Sequence, residues 1–400
     1  MIKNIDYKKY ISYLLIAYAF SFPISKAATN LFEVLAIILW IIEGNWKEKF
    51  VLYKNNLLSI TIMLLIGFSL LSVLWHGNAE LTFKYILKYR HLIIIFIFYS
   101  SFDKKYSTYI LSAFLAAMFI SELMSYAIFF KVIQYKHVSP QDPTPFMDHM
   151  TYSTILAFTT NILLVYIFSE KNNNYKLFYL FFFITATTNL FINGGRTGQI
   201  IFIILIIVTI LSSIKHKLKA ILISCGLLLS TFFLAYTFSP NFQKGSLKIY
   251  QDIEKIIVHN NYTTSSGIRI ALFLIGTHTF IDNSLSGTGL AYNMKDVQKY
   301  ASLHDINIKN IETIGDYHNT FLTISVQLGA IGLLISILLI YSLFTLPIKS
   351  KKLKLLSLLF AISFVLFSIT HNTLHTMSPM VFFALFAGYF NALSKYNLSS

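Results

Sequence analysis

Residues 177–211 read LFYLFFFITATTNLFINGGRTGQIIFIILIIVTIL. Two apolar runs, Leu177 to Phe191 and Ile200 to Leu211, flank Asn193-Gly194-Gly195-Arg196-Thr197-Gly198-Gln199. A guanidinium cannot lose its proton and is costly near a bilayer core, so Arg196 is expected only beside an anionic partner or water. Crossing roughly 30 Å of hydrocarbon takes about 20 apolar residues. The stretch therefore reads as two membrane-spanning helices joined by a charged, glycine-rich turn.

Composition extends that reading to the whole chain. Its 400 residues are 56% hydrophobic and 12% charged, and the mean hydropathy is +0.63. Ordinary globular domains lie far from these values. The expected fold class is an all-α, polytopic integral membrane protein, held by packing and interhelical polar contacts. The single cysteine, Cys225, excludes a disulfide or a cysteine metal site within one chain.

A window of about 19 residues marks about twelve spans. They lie at 10–25, 27–42, 57–75, 86–102, 109–130, 150–169, 176–193, 197–214, 219–238, 319–345, 355–370 and 377–394. The first pair, separated by Pro23 and Lys26, also reads as one irregular hairpin. Lys3, Lys8 and Lys9 ahead of an apolar stretch resemble a signal peptide, but spans follow at once, so a retained first helix is expected. Lysines accumulate on alternate sides: Lys47, Lys49, Lys54, Lys104, Lys105, Lys171, Lys176, Lys215, Lys217, Lys219, Lys349, Lys351, Lys352, Lys354 and Lys395 share the N-terminal side. That side is expected to be cytoplasmic. The opposite loops carry Lys26, the cluster Lys84, Lys88 and Arg90, then Lys131, Lys136 and Arg196. The formal net charge of +15 is thus mostly topology, which argues against a nucleic-acid partner.

Three parts follow: residues 1–238 with spans one to nine, an outer helical loop at 239–317, and residues 318–400 with the last three spans. Within the loop, Asn241 to Ile257 is amphipathic, Gly267 to Phe280 reads as a helix bearing Arg269, and Ser286-Gly287-Thr288-Gly289 is a turn open to close backbone approach. The other outer stretch, Lys131 to Met150, holds Pro140, Pro143 and Pro145 and is expected to be extended.

Arg196, Arg269 and His318 all fall on the outer side. Two arginine forks suit a diphosphate. His318 titrates near neutrality, so it can take a proton from a hydroxyl nucleophile. Taken singly, Arg196 also fits a snorkelling anchor, Arg269 a solvated charge, and His318 a capping or packing residue. Lys84 and Lys88 share a helix face beside Tyr85, Tyr89 and His91, with Arg90 adjacent; they fit either an interfacial anchor or a donor-phosphate surface. The outer loops show no acidic pair of conventional metal-binding form, although Asp148-His149 is one possible half of a site. Glu33 and Glu122 lie inside predicted spans, where carboxylates can mark ion pathways.

Arg269-Ile270-Ala271-Leu272-Phe273, Asn283 to Leu290, and Tyr317-His318-Asn319-Thr320-Phe321-Leu322 with Gly329 and Gly332 resemble the signature of the bacterial O-antigen ligase and polymerase superfamily. Asn193-Gly194-Gly195-Arg196-Thr197-Gly198 is similar to that family's other arginine motif. Ser284 stands where the family usually has proline, and Gly195 where serine is common. The resemblance implies a glycosyltransferase of the bacterial inner membrane, working at the periplasmic face without metal or other cofactor. It implies an undecaprenyl-diphosphate-linked glycan as donor, its diphosphate held by Arg196 and Arg269, and an acceptor hydroxyl activated by His318. About twelve spans with one large periplasmic loop resemble the ligase that transfers O-antigen to lipid A-core in lipopolysaccharide biosynthesis. A polymerase extending the carrier-linked glycan is the alternative. Protein-modifying relatives are usually longer, with an added C-terminal region. A lipid-linked glycan transporter is the reading from another class, but no doubled inverted pattern of broken helices accompanies it.

Overall fold

The computed structural model describes residues 6–76, 79–135, 138–259, 261–290, 297–303, 306 and 315–396. Lys3, Lys136 and parts of the predicted 239–317 loop lie outside the described residues. In chain order the helices are α1 (Tyr7–Ser21), α2 (Lys26–Glu43), α3 (Trp46–Lys54), α4 (Leu57–Leu71), α5 (Val73–His76), α6 (Ala79–Lys88), α7 (Ile93–Ser101), α8 (Ser107–Phe129) and α9 (His149–Ser169). There follow α10 (Asn173–Ile192), α11 (Arg196–Ser213), α12 (Lys217–Phe238), α13 (Pro240–His259), α14 (Ser265–Asp282), α15 (Val297–Leu303), α16 (Thr320–Phe344), α17 (Lys351–Thr370) and α18 (Met377–Lys395). The chain is an all-α polytopic membrane protein, and no strand occurs among the described residues.

Helix is present at each of the twelve predicted positions, but fewer reach across. Nine of the described helices are long and apolar enough to span a membrane, or ten if α2 and α3, bent by 111°, count as one. The first predicted span is a helix of 15 residues. The fourth is split, because a 3-10 turn at Tyr89–Leu92 separates α6 from α7. Two side chains at that turn reach α2: Arg90 Nε lies 3.3 Å and His91 Nδ1 2.5 Å from the Glu33 carboxylate, which is wholly buried. Glu33 is thus occupied by an ion-paired cluster, the arrangement a carboxylate at membrane depth requires. Glu122 is buried on α8.

The helices α9 and α18 form the centre, with 83% and 94% of their apolar windows buried inside the protein. α18 carries Phe382, Phe383, Phe386 and Phe390, and α9 sets Phe158 against them. Phe158 meets Phe386 edge to face with centroids 4.9 Å apart, and Phe114 meets the same ring at 4.9 Å. Lipid offers helices little net hydrophobic drive to associate, so dense edge-to-face packing of this kind carries much of the cohesion. By contrast α12 keeps only 17% of its window buried.

Small residues decide two close approaches. In α11 a Cβ on Gly198 would stand 2.3 Å from the Ser153 backbone of α9, and one on Gly195 2.1 Å from Ser153 Oγ. In α16 the helix breaks at Gly329, at φ 64°. The Ser284–Gly289 turn after α14 docks into that break: Thr288 and Gly289 N–H donate to the Val326 and Gln327 carbonyls at 2.8 and 2.9 Å, and Ala330 N–H donates to Ser284 O at 2.7 Å. A Cβ on Gly287 would lie 2.4 Å from the Gln327 backbone.

Charge is sorted between the two ends. Lys49 pairs with Glu43 at 2.8 Å, Lys352 covers the Tyr166 ring, and Lys395 donates to the Tyr99 carbonyl. The opposite end of the bundle carries Arg196, Arg269 and His318.

Candidate active site

Arg196 is the first residue of α11 and follows a turn held from outside. Asp142, from the stretch between α8 and α9, accepts the Gly194 N–H at 3.0 Å and approaches His149 Nδ1 at 3.1 Å. Burial pushes the Asp142 carboxyl up, but His149 and the Gly194 N–H outweigh it and hold the pKa below its usual value. Asn241 at the start of α13 ties both sides together, donating to the Gln141 and Ile192 carbonyls. The proline-containing stretch 138–148 is thus pinned across the arginine turn. The Arg196 side chain runs along α13, where a Cβ on Gly245 would meet its Cδ at 3.7 Å.

Arg269 lies one turn into α14, whose N-cap Thr264 accepts the Gly267 N–H at 3.1 Å. Its Nη1 donates to the Ser265 carbonyl and hydroxyl at 3.2 Å each, and Nη2 stands 3.1 Å from the Met150 sulfur. Nε is buried without a partner. Burial and the nearby Arg196 charge both lower the Arg269 pKa, though an arginine remains a cation at physiological pH. Among the described residues neither arginine forms an ion pair. Two like charges held within reach of each other and left unneutralised repel, and an anion between them would relieve that cost.

His318 precedes α16 in a left-handed conformation, φ 49°. Asp316 accounts for that strain by accepting the His318 backbone N–H at 2.7 Å, while its Oδ1 lies 3.3 Å from Nδ1. The second contact is close but poorly aligned, since Nδ1 has no hydrogen bond of good geometry. Burial lowers the His318 pKa, Asp316 opposes this, and the Arg269 charge adds to it. The imidazole is therefore neutral at pH 7, with a lone pair available for a proton.

The predicted cluster on α6 divides. Lys84 is exposed and paired with Glu80 at 2.7 Å, and Arg90 is turned to Glu33 and Asn30. Lys88 alone turns toward the His318 neighbourhood: its Nζ stands 3.2 Å from His375 Nε2 and 4.8 Å over the Tyr85 ring. His375 and His371, in the turn between α17 and α18, feel the charges of Asp316 and Lys88, and of Asp316, His318 and Arg269, respectively. Burial first, then Lys88, brings the His375 pKa down to about 4. Sequence reasoning passed over His371, His375, Asp142 and His149 as partners of this site. A usable signal existed, since the alternation of spans puts both 371 and 375 at the same membrane face as 318.

Fold and site together define a polytopic membrane protein with paired cationic groups and a neutral histidine at one end of its bundle. Residues 181–337 match the family described as O-antigen ligase, and that segment spans Arg196, Arg269 and His318. Over this segment the chain is similar to the O-antigen ligase superfamily, whose members are membrane glycosyltransferase-like enzymes. No curated protein matches the chain.

Proposed function

We propose that this protein is an O-antigen ligase of the bacterial inner membrane, acting at the periplasmic face. It would transfer a glycan from undecaprenyl diphosphate to a sugar hydroxyl of lipid A-core. One observation carries the reading: Arg196 and Arg269 stand within electrostatic reach of each other with no ion-paired carboxylate among the described residues, and Arg269 Nε is buried unpartnered. Such an arrangement is costly until a multivalent anion enters. A diphosphate supplies that anion. Beside it, between α8, α10 and α12, an apolar groove of about 500 Å³ lined by Phe129, Phe183, Phe191 and Phe238 reaches Ser239, whose hydroxyl donates to Phe191 O. A polyprenyl tail would lie there without exposing apolar surface.

In this scheme His318 withdraws the proton from the acceptor hydroxyl as its oxygen attacks the anomeric carbon. The bond from that carbon to the diphosphate oxygen breaks, and undecaprenyl diphosphate leaves with the bonding pair. The arginines stabilise the charge that grows on the leaving oxygen, which is where fixed cations lower a barrier most. Asp316 is a positioning residue, holding the His318 backbone. Lys88 is placed to meet or guide donor phosphates, while Lys84 and Arg90 would act there only by leaving Glu80 and Glu33.

Gene deletion followed by lipopolysaccharide gel analysis tests the reaction. Loss of every glycan-capped lipid A-core, with carrier-linked polymer accumulating, is the expected result. Capping by a single repeat unit would instead make the protein a polymerase.

A further inference from the structure

The turn 371–376 meets the donor side only where His375 stands 3.2 Å from Lys88, yet it is firmly built throughout. The Thr320 hydroxyl donates to the His371 carbonyl at 2.9 Å, the Thr373 N–H donates to Thr320 Oγ1 at 2.8 Å, and the Ser368 and Thr373 hydroxyls lie 2.7 Å apart. The His371 ring stacks on Phe367 with centroids 5.2 Å apart and planes 10° apart. These contacts clamp the turn against the first residue of α16, two positions beyond His318.

Two buried polar atoms in the clamped turn have no protein partner: His371 Nδ1 and Asn372 Nδ2, in residues 9% and 3% exposed. A buried polar atom left unpaired is unfavourable, so two together at a site rim call for a ligand. The hydrogen-bond network assigns their roles. Thr376 donates its hydroxyl proton to Asn372 O at 3.4 Å, which leaves Oγ1 to accept from His371 Nε2 at 3.3 Å. The His371 proton then sits on Nε2, and Nδ1 presents a bare lone pair. Burial, aided by the neighbouring His318 and Arg269 and opposed by Asp148 and Asp316, keeps this ring neutral. A neutral acceptor and an amide donor on consecutive residues match hydroxyls rather than an anion. A small cavity of about 10 Å³, the size of one hydroxyl, is bounded by Asn372, His375, Gln327, Tyr85 and, at its charged edge, Lys88.

We propose that His371 and Asn372 form the acceptor-saccharide subsite, binding ring hydroxyls that flank the hydroxyl presented to His318. This rests on the glycosyl-transfer reading above. The shared ligand chemistry is a neutral, hydroxyl-rich sugar ring, whether it belongs to a lipid A-core or to a carrier-linked glycan.

The test uses purified full-length protein in lipid nanodiscs, with wild type compared with His371→Ala, Asn372→Ala and the conservative His371→Gln. Two acceptors are titrated separately, rough lipopolysaccharide and undecaprenyl-diphosphate-linked oligosaccharide, and equilibrium binding of each is measured beside turnover. For the true acceptor, KM and binding should weaken about tenfold in either alanine variant, the factor that a hydrogen bond of ~1.4 kcal/mol represents. The donor KM should stay unchanged, and glutamine at 371 should recover most of the loss. Unchanged acceptor affinity, or a parallel fall in donor and acceptor binding, would overturn the subsite. A wild type that binds saccharide through these residues but transfers nothing would uphold the subsite and sink the transferase reading instead.

Discussion

At the scale of single residues, the proposed chemistry rests on two kinds of side chain that burial affects alike but with different outcomes, since a lowered arginine stays a cation while a lowered histidine is neutral. The arginines keep their charge under any condition, so what matters is their geometry. Replacing Arg196 or Arg269 by Lys preserves charge but removes the two-pronged donor set, and transfer should fall by at least about tenfold while folded protein stays at the wild-type level. Full activity in both lysine variants would end the diphosphate-clamp reading. His318 must be neutral to work, so the rate should rise with pH through its titration. Because burial lowers that pKa, the rise should lie below the ordinary histidine value of about 6.5. Asp316 raises the pKa, so Asp316→Asn should move the limb to still lower pH, and His318→Ala should abolish it together with most of the rate. A pH–rate profile of kcat/KM for the three proteins decides the matter; a limb displaced upward in the asparagine variant would contradict the assignment.

Among the elements, α16 shows why the motif residues are spread so far along the chain. Its break at Gly329 frees backbone groups that would otherwise stay inside the helix, and the Ser284–Gly289 turn supplies their partners. That docking fixes α14 against α16, and so fixes Arg269 relative to His318. A Cβ at Gly329 would meet Leu285 O at 2.4 Å, at a φ that only glycine adopts freely. Gly329→Ala should therefore destabilise the protein by about 1–3 kcal/mol from backbone strain alone and depress transfer. Thermal unfolding in detergent beside an activity assay checks this, and a variant with normal melting and normal rate would show the docking to be dispensable. The hydrophobic pattern placed α16 well but carried no trace of its break. Glycines in a long apolar run, here Gly329 and Gly332, have the same pattern whether the helix bends there or not.

For the whole molecule, the segregation of lysines from the arginine–histidine end predicts an orientation that labelling can read. With Cys225 replaced by Ser, an impermeant maleimide applied to intact cells should modify a cysteine at exposed Lys244 and spare one at exposed Lys171. The opposite pattern would invert the topology. Apolar runs and caps were enough to locate the helices, because each of those signals is local, whereas Arg196, Arg269 and His318 stand out by the motifs around them. Span number was less legible: the 3-10 interruption at Tyr89–Leu92 accompanies contacts from Arg90 and His91 to Glu33 on α2, made across 57 and 58 positions of chain. The same is true of the α6 cluster, where partners chosen elsewhere in the bundle left Lys88 near the site and drew Lys84 and Arg90 away. Asp142 beside Gly194, and the turn 371–376 beside Thr320, are likewise neighbours only after folding. What the sequence by itself determined, then, is which segments are helical and where along the chain the charges fall. Only the tertiary structure decided which of those charges are already neutralised by a partner and which buried atoms are left waiting for a ligand, because pairing depends on distance in space.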